Sequence, residues 1–120
     1  MTYFLEVNNP QNEMMRVIIN PEIAPSAEVL WQLVVIPFAA PKHSYSYNKE
    51  VEKELHFEIR SDSYRTIAKS TIQHINYLGF MLWRVDDIKA FTTEDEAVLF
   101  ALENIISKWA EDLSRDENTF

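Results

Sequence analysis

The segment from Glu50 to Arg60 alternates between apolar and polar side chains, and this constrains the fold more than any other feature of the sequence. Successive side chains of a β-strand point to opposite faces, so alternate positions share a face. One set is apolar except for a single lysine: Val51, Lys53, Leu55, Phe57 and Ile59. The other set is polar: Glu50, Glu52, Glu54, His56, Glu58 and Arg60. The pattern predicts a strand with one buried and one wet face, which is typical of an antiparallel sheet.

Short apolar runs bounded by turn-forming residues predict further strands. Residues 3–7 and 14–19 are separated by the turn formers at residues 8–10, so we interpret the two runs as a hairpin. Residues 80–85 form a later strand, and residues 88–91 can pair back with it. These segments supply most of the predicted sheet.

Glycine is nearly absent, because Gly79 is the only one in the chain. Loops that bind phosphate groups need several glycines, so neither a dinucleotide fingerprint nor a P-loop is present. Tight turns must use Asn and Asp instead, since these residues tolerate positive φ better than most. The candidates are Asn8-Asn9 and Asp86-Asp87.

Helical spacing of apolar residues predicts two helices. The first is capped by Ser61 or Asp62 and ends at Gly79, with the stripe Tyr64, Ile67, Ala68, Thr71, Ile75 and Leu78. The second begins at Thr93, which forms a capping box with Glu96. Its buried stripe is Val98, Ala101, Leu102, Ile105, Trp109 and Leu113. Residues 114–120 are polar and are predicted to fray.

Residues 26–36 are compatible with either a strand or a helix. Ser26 can cap a helix, and Val29, Leu30, Leu33 and Val34 follow at helical spacing. The run is also short, rich in Val, Ile and Trp, and followed by Pro37. We favour a buried strand and keep the helix as the alternative.

These elements predict an α+β fold, in which two helices pack on one face of an antiparallel sheet of about four to six strands. The 120 residues fit one domain, 1–120, and we find no linker or internal repeat. Apolar residues make up 47% of the chain, which is enough to form a core. We therefore expect the chain to fold into one compact globular domain.

Charge and composition narrow the classes of function. The 19 acidic and 11 basic residues give a net charge of −8, which disfavours nucleic acid and anionic membranes and favours a basic partner. An alternative is that the acidity serves solubility alone. The chain contains no cysteine, and its first residues lack the basic and apolar regions of a secretory signal, so we expect a cytoplasmic protein.

No motif predicts catalysis, a metal site or a cofactor. The three histidines, His43, His56 and His74, lack the three- or four-residue spacing that places two ligands on one helix face. There is no Gly-x-Ser-x-Gly motif, and most carboxylates fall on wet faces. We therefore expect a non-enzymatic protein. A small hydrolase would need His43 or His74 in a pocket beside a carboxylate with a raised pKa.

One surface stands out as a candidate partner-binding site. Its residues are the solvent-facing glutamates of the alternating strand and two tyrosines of the preceding loop: Tyr45, Tyr47, Glu50, Glu52, Glu54 and Glu58. Tyrosine provides rigid contact area, and negative potential steers a basic protein towards its site. The leading hypothesis is a protein that sequesters a basic partner, such as an immunity or inhibitor protein for a nuclease-type toxin. The alternatives are a subunit of a larger assembly and a small hydrolase.

Overall fold

The computed structural model describes residues 2–10, 12–23, 25–35 and 54–117, with side chains through residue 115. The strands are β1 (Tyr3–Asn8), β2 (Met14–Ile19), β3 (Glu54–Ser61), β4 (Thr66–Tyr77), β5 (Phe80–Val85) and β6 (Lys89–Phe91). The helices are α1 (Ala27–Leu30), which continues as a π-helical turn over Trp31–Val35, and α2 (Glu94–Glu117). A 3₁₀ turn covers Pro21–Ile23.

The six strands form one sheet in the order β2-β1-β3-β4-β5-β6, and every neighbouring pair is antiparallel. Both helices pack against this sheet, so the predicted α+β class is confirmed. The registers place Leu5, Ile59 and Ala68 on one face, where they join the buried side chains of the helices in a single core. We call this the inner face, and the opposite side the outer face.

Two predicted elements are confirmed in detail. Strand β3 alternates between partly and fully buried positions from Glu54 to Ser61, as the sequence pattern required. At the start of α2, the Thr93 hydroxyl donates to Glu96 Oε1 at 2.8 Å, and the Glu96 amide donates to Thr93 Oγ1 at 3.3 Å. Thr93 is therefore the N-cap and pairs with Glu96 as predicted, although Glu96 accepts from the Thr93 hydroxyl and not from its backbone amide. Helix α2 continues through Glu117, beyond the last predicted core residue at Leu113.

The helix predicted between residues 61 and 79 is wrong, because this segment forms the twelve-residue strand β4. Its inward positions include the small residues Ala68 and Ser70, which interrupt the apolar alternation and leave a misleading helical stripe. The β-branched residues at 66, 67, 71, 72 and 75 favour a strand. Gly79 lies at φ 86° in the turn between β4 and β5, not after a helix.

The strand favoured for residues 26–36 is also wrong, because residues 27–35 are helical and residue 36 lies outside the described residues. The alternative is correct: the Ser26 hydroxyl caps α1 by accepting a hydrogen bond of 3.3 Å from the Val29 amide. Leu30, Val34 and Val35 are buried, so tertiary contacts stabilise this short helix.

Aspartate replaces glycine in the turn after β5, as predicted. Asp86 adopts φ 49°, and its carboxylate accepts hydrogen bonds from the Ser70 hydroxyl (2.8 Å) and the Thr71 amide (3.0 Å) of β4. In the turn between β1 and β2, Asn9 Oδ1 accepts from the Glu13 amide at 3.2 Å, but the positive φ of 63° falls on Asn12. Asn12 and Asp86 therefore adopt the positive φ that glycine usually provides in turns, and the side-chain oxygens of Asn9 and Asp86 add hydrogen bonds.

Candidate functional site

The outer face contains the described part of the predicted binding site. The registers place Glu54, Glu58, Glu6 and Arg16 on this face, together with Lys69. Four of the six predicted residues, Tyr45, Tyr47, Glu50 and Glu52, lie outside the described residues. Glu54 and Glu58 therefore lie on one face of the sheet, and charged side chains from other strands lie on the same face.

Glu58 is paired within the face. Its Oε2 lies 3.2 Å from Arg60 Nε, and its Oε1 accepts a short hydrogen bond from the Thr66 hydroxyl. Lys69 stands opposite it on β4. The hydrogen bond and charge of Glu58, with a further contribution from Glu6, raise the pKa of Arg60 above its ordinary value. The negative charge of Glu58 is therefore compensated by the neighbouring cations Arg60 and Lys69.

Glu6 is a buried carboxylate that sequence reasoning missed. Its side chain is only 7% exposed, and its Oε1 accepts hydrogen bonds from Arg16 at 2.7 and 2.9 Å. Arg60 Nε lies 3.8 Å from its other oxygen. Because burial of a carboxylate requires compensating partners, the two arginines explain why an acid is tolerated here. The feature of the sequence that could have indicated this buried carboxylate is a single acidic residue within the apolar run of residues 3–7.

A polar chain crosses β3 and β4 near Glu54. Glu54 Oε1 lies 3.3 Å from His56 Nε2, and His56 Nδ1 lies 3.2 Å from Thr71 Oγ1. A hydroxyl, an imidazole and a carboxylate in this order can pass a proton along the chain. Gln73 also donates to Glu54 at 3.4 Å. A shallow cleft of about 400 Å³, lined in part by His56, Lys69 and Thr71, lies alongside.

His74, considered above for a hydrolase, lies on the inner face opposite Trp83. The two rings stack with centroids 4.0 Å apart and an interplanar angle of 6°. His43 lies outside the described residues. Among the residues that the structure describes, no group of three or more histidine or acidic side chains is arranged to hold a metal ion.

Among the residues that the structure describes, the surplus of negative charge is on helix α2 and not on the outer face. The outer face combines the carboxylates of Glu6, Glu54 and Glu58 with the cationic side chains of Arg16, Arg60, Lys69 and Arg84 in its described part. Helix α2 contains eight acidic and two basic residues, against a net charge of −8 for the whole chain. Glu96, Glu103 and Glu111 are exposed along it, about two turns apart, and we call them the acidic ridge.

The first residue of α2 has a perturbed carboxyl. Burial, with a smaller contribution from the charge of Asp95, raises the pKa of Glu94 above its ordinary value of 4.5. The folded chain therefore holds this proton more tightly than the unfolded chain. Its protonation stabilises the fold at acid pH, and this contribution is lost as the pH rises from 4.5 through the folded-state pKa.

We expect a ¹³C NMR titration to show the Glu94 carboxyl changing at a higher pH in the folded chain than in concentrated urea. In the variant Glu94→Gln, the part of the stability that declines over this pH window should disappear. Asp95→Asn is the matched control, because it removes the smaller cause of the shift and keeps the partly buried Glu94 carboxyl. A Glu94 midpoint at or below that in urea contradicts the prediction.

Comparison with protein-family models, with curated proteins and with solved structures finds no match for this chain. No helix in the described ranges is both long enough and apolar enough to span a membrane.

Proposed function

We propose that this chain is a small non-enzymatic protein that binds and sequesters a basic protein partner, in the manner of an inhibitor or immunity protein. The observation that carries the proposal is the location of the negative charge. The acidic ridge is exposed, and none of its three carboxylates forms an ion pair with a described residue. An uncompensated field of this kind attracts a positively charged surface.

The ridge suits attraction at a distance better than tight contact. Its side chains are exposed, and exposed ion pairs contribute little to affinity. Over a Debye length of about 10 Å, however, their fields add and guide an oppositely charged protein towards the complex. The negative charge should therefore act mainly on the association rate. A basic partner, such as a nuclease with a positively charged cleft, fits this electrostatic role.

The experiment begins with affinity capture from the native host at low salt, followed by mass spectrometry and purification of the retained protein. We expect a basic protein that salt releases, because screening weakens steering between exposed charges. Lysozyme, which is basic but unrelated, serves as the control for attraction by charge alone. If only neutral or acidic proteins are retained, the proposed function is wrong.

Neutralising the ridge should slow association. With the triple variant Glu96→Gln, Glu103→Gln and Glu111→Gln, we expect the association rate of the captured protein to fall about tenfold at low salt. The dissociation rate should change much less. The matched control, Glu22→Gln, Glu28→Gln and Asp87→Asn, removes the same charge from exposed positions elsewhere. An unchanged association rate for the ridge variant, measured by biolayer interferometry, contradicts the proposal.

A second candidate function is that of a subunit in a larger assembly. It is favoured by exposed apolar side chains on β2, the strand at one edge of the described sheet. Ile18 is 68% exposed and Met14 is 52% exposed, and both lie on the outer face of β2. Large exposed apolar side chains are typical of interaction sites when they cluster. Sedimentation of the purified chain distinguishes the two candidates, because this one requires concentration-dependent self-association or co-purifying subunits.

A further inference from the structure

The described pairing of β4 with β5 extends beyond the described pairing of these two strands with their other neighbours. The described pairing of β3 with β4 stops at Gln73, and that of β6 with β5 stops at Trp83. Beyond these points the described pairing of the two strands is only with each other, ending at Tyr77 opposite Phe80.

The end of the extension exposes large apolar side chains. Tyr77 is 60% exposed, Leu78 82%, Phe80 71% and Met81 45%, and we call these four residues the hairpin tip. Residues 75–83 contain no charged side chain. Tyr77 and Phe80 lie on the outer face, Met81 lies on the inner face, and Leu78 lies in the turn between the strands. Taking about 200 Å² for each large side chain, Tyr77, Leu78 and Phe80 together present roughly 400 Å² of surface. That is comparable to the largest apolar patch on a typical monomer, and such patches are often functional.

The turn at the tip also contains a leucine in a backbone conformation that is unfavourable for this residue. Leu78 adopts φ 53° and Gly79 adopts φ 86°, which is the type I′ arrangement of a two-residue hairpin turn. The first of these positions favours Asn, Asp or Gly, and a bulky residue at positive φ is an outlier. Leu78 thus combines backbone strain with nearly complete exposure. Backbone strain at a residue whose side chain is not packed in the core is typical of binding sites.

We propose that the hairpin tip is the anchor that inserts into an apolar pocket of the basic protein partner, an inference that rests on the proposed function. A few apolar and aromatic anchors usually supply most of the energy of an interface. The exposed, uncharged tip suits an apolar pocket, while the acidity of the remaining chain matches the partner's positive charge.

Two other occupants fit less well. A stable dimer buries about 800 Å² on each partner, which is more than two tips can cover when they meet each other alone. An anionic membrane repels a chain with a net charge of −8. The tip and the ridge then have separate roles, because the ridge sets the rate of encounter and the tip sets the lifetime of the complex.

The test places a photo-crosslinking residue, p-benzoylphenylalanine, at position 78, and at position 88 as the matched control. Ile88 is also apolar and exposed, at 65%, but lies in the turn after β5. On irradiation in host lysate, position 78 should crosslink the basic protein captured by the wild-type chain, and position 88 should not. Crosslinking of that protein from 88 but not from 78 overturns the inference.

Kinetics with the purified captured protein provide the second measurement. The double variant Leu78→Asn and Phe80→Ala should raise the dissociation rate about 30-fold, as expected for loss of an anchor, with little change in the association rate. Ile88→Asn is the control and should leave both rates unchanged. Leu78→Asn alone should raise Tm by about 4 °C, because it relieves the strained turn, so weaker binding cannot be attributed to unfolding.

Each outcome bears on one of the two proposals. If a basic protein is captured and dissociates from the double variant as slowly as from wild type, the tip inference is wrong while the proposed function stands. If no basic protein is captured, both fail. Self-association that the double variant abolishes, or binding of the wild-type chain to phosphatidylserine vesicles, overturns the choice of a protein pocket as the occupant.

Discussion

Replacing Trp109 with alanine is expected to lower the free energy of unfolding by about 3–5 kcal/mol. Trp109 is 1% exposed on α2, and its ring meets Tyr3 of β1 edge-on at a centroid distance of 5.5 Å. The alanine variant leaves a cavity between the helix and the first strand, which neighbouring side chains fill only in part. Urea unfolding followed by circular dichroism measures the loss.

Trp109→Phe separates ring packing from the polar group. The indole N–H is buried and has no hydrogen-bond partner among the described residues, so phenylalanine keeps most of the packing and removes an unpaired donor. We expect Trp109→Phe to cost about 1 kcal/mol, far less than alanine. Phe80→Ala, at a position 71% exposed, should change stability by less than about 0.5 kcal/mol. Equal losses for the two Trp109 variants contradict the packing argument.

Asp86→Ala should cost about 2–4 kcal/mol, because it removes two hydrogen bonds and leaves a residue at positive φ that alanine adopts poorly. The Ser70 hydroxyl that donates to Asp86 belongs to a residue only 2% exposed. Its loss of a partner therefore carries a desolvation penalty. Thermal or urea unfolding at neutral pH measures the effect.

Two companion variants divide this loss into its causes. Asp86→Gly accepts the positive φ but still lacks the acceptor oxygens, whereas Asp86→Asn keeps one oxygen and tolerates the conformation. We expect Asn to be the mildest of the three and Gly to lie between Asn and Ala. Asp87→Ala is the matched control at an exposed neighbouring position. If Gly equals wild type, the hydrogen bonds to β4 contribute nothing.

The sequence predicts those elements whose patterns are local. The alternation of β3 and the Thr93 N-cap of α2 depend on residues within one strand or one turn, and both predictions are confirmed. The β4 segment was misassigned because Ala68 and Ser70 occupy inward positions that usually carry larger apolar residues. Its strand identity depends on pairing with β3 and β5, which are contacts that a local pattern does not contain.

The site was harder to predict than the fold, since a surface depends on which strands become neighbours. Glu58 was expected on a wet face, where it does lie, but the compensation by Lys69 and the nearby Glu6–Arg16 pair comes from three other strands. The exposure of Leu78 was hidden because the residue was placed on a helical stripe. Once residues 75–83 are recognised as a hairpin without charges, the sequence itself indicates the tip.

The sheet order has a consequence for how this chain assembles. Every ladder joins strands that are neighbours in sequence except that of β1 with β3, which pairs Tyr3 with Ser61 and Asn8 with His56. Closing that ladder brings together residues about fifty positions apart and incurs the largest chain entropy in the sheet. We therefore expect the hairpin of β1 and β2 to dock late in folding and to detach with little rearrangement of the remaining described strands.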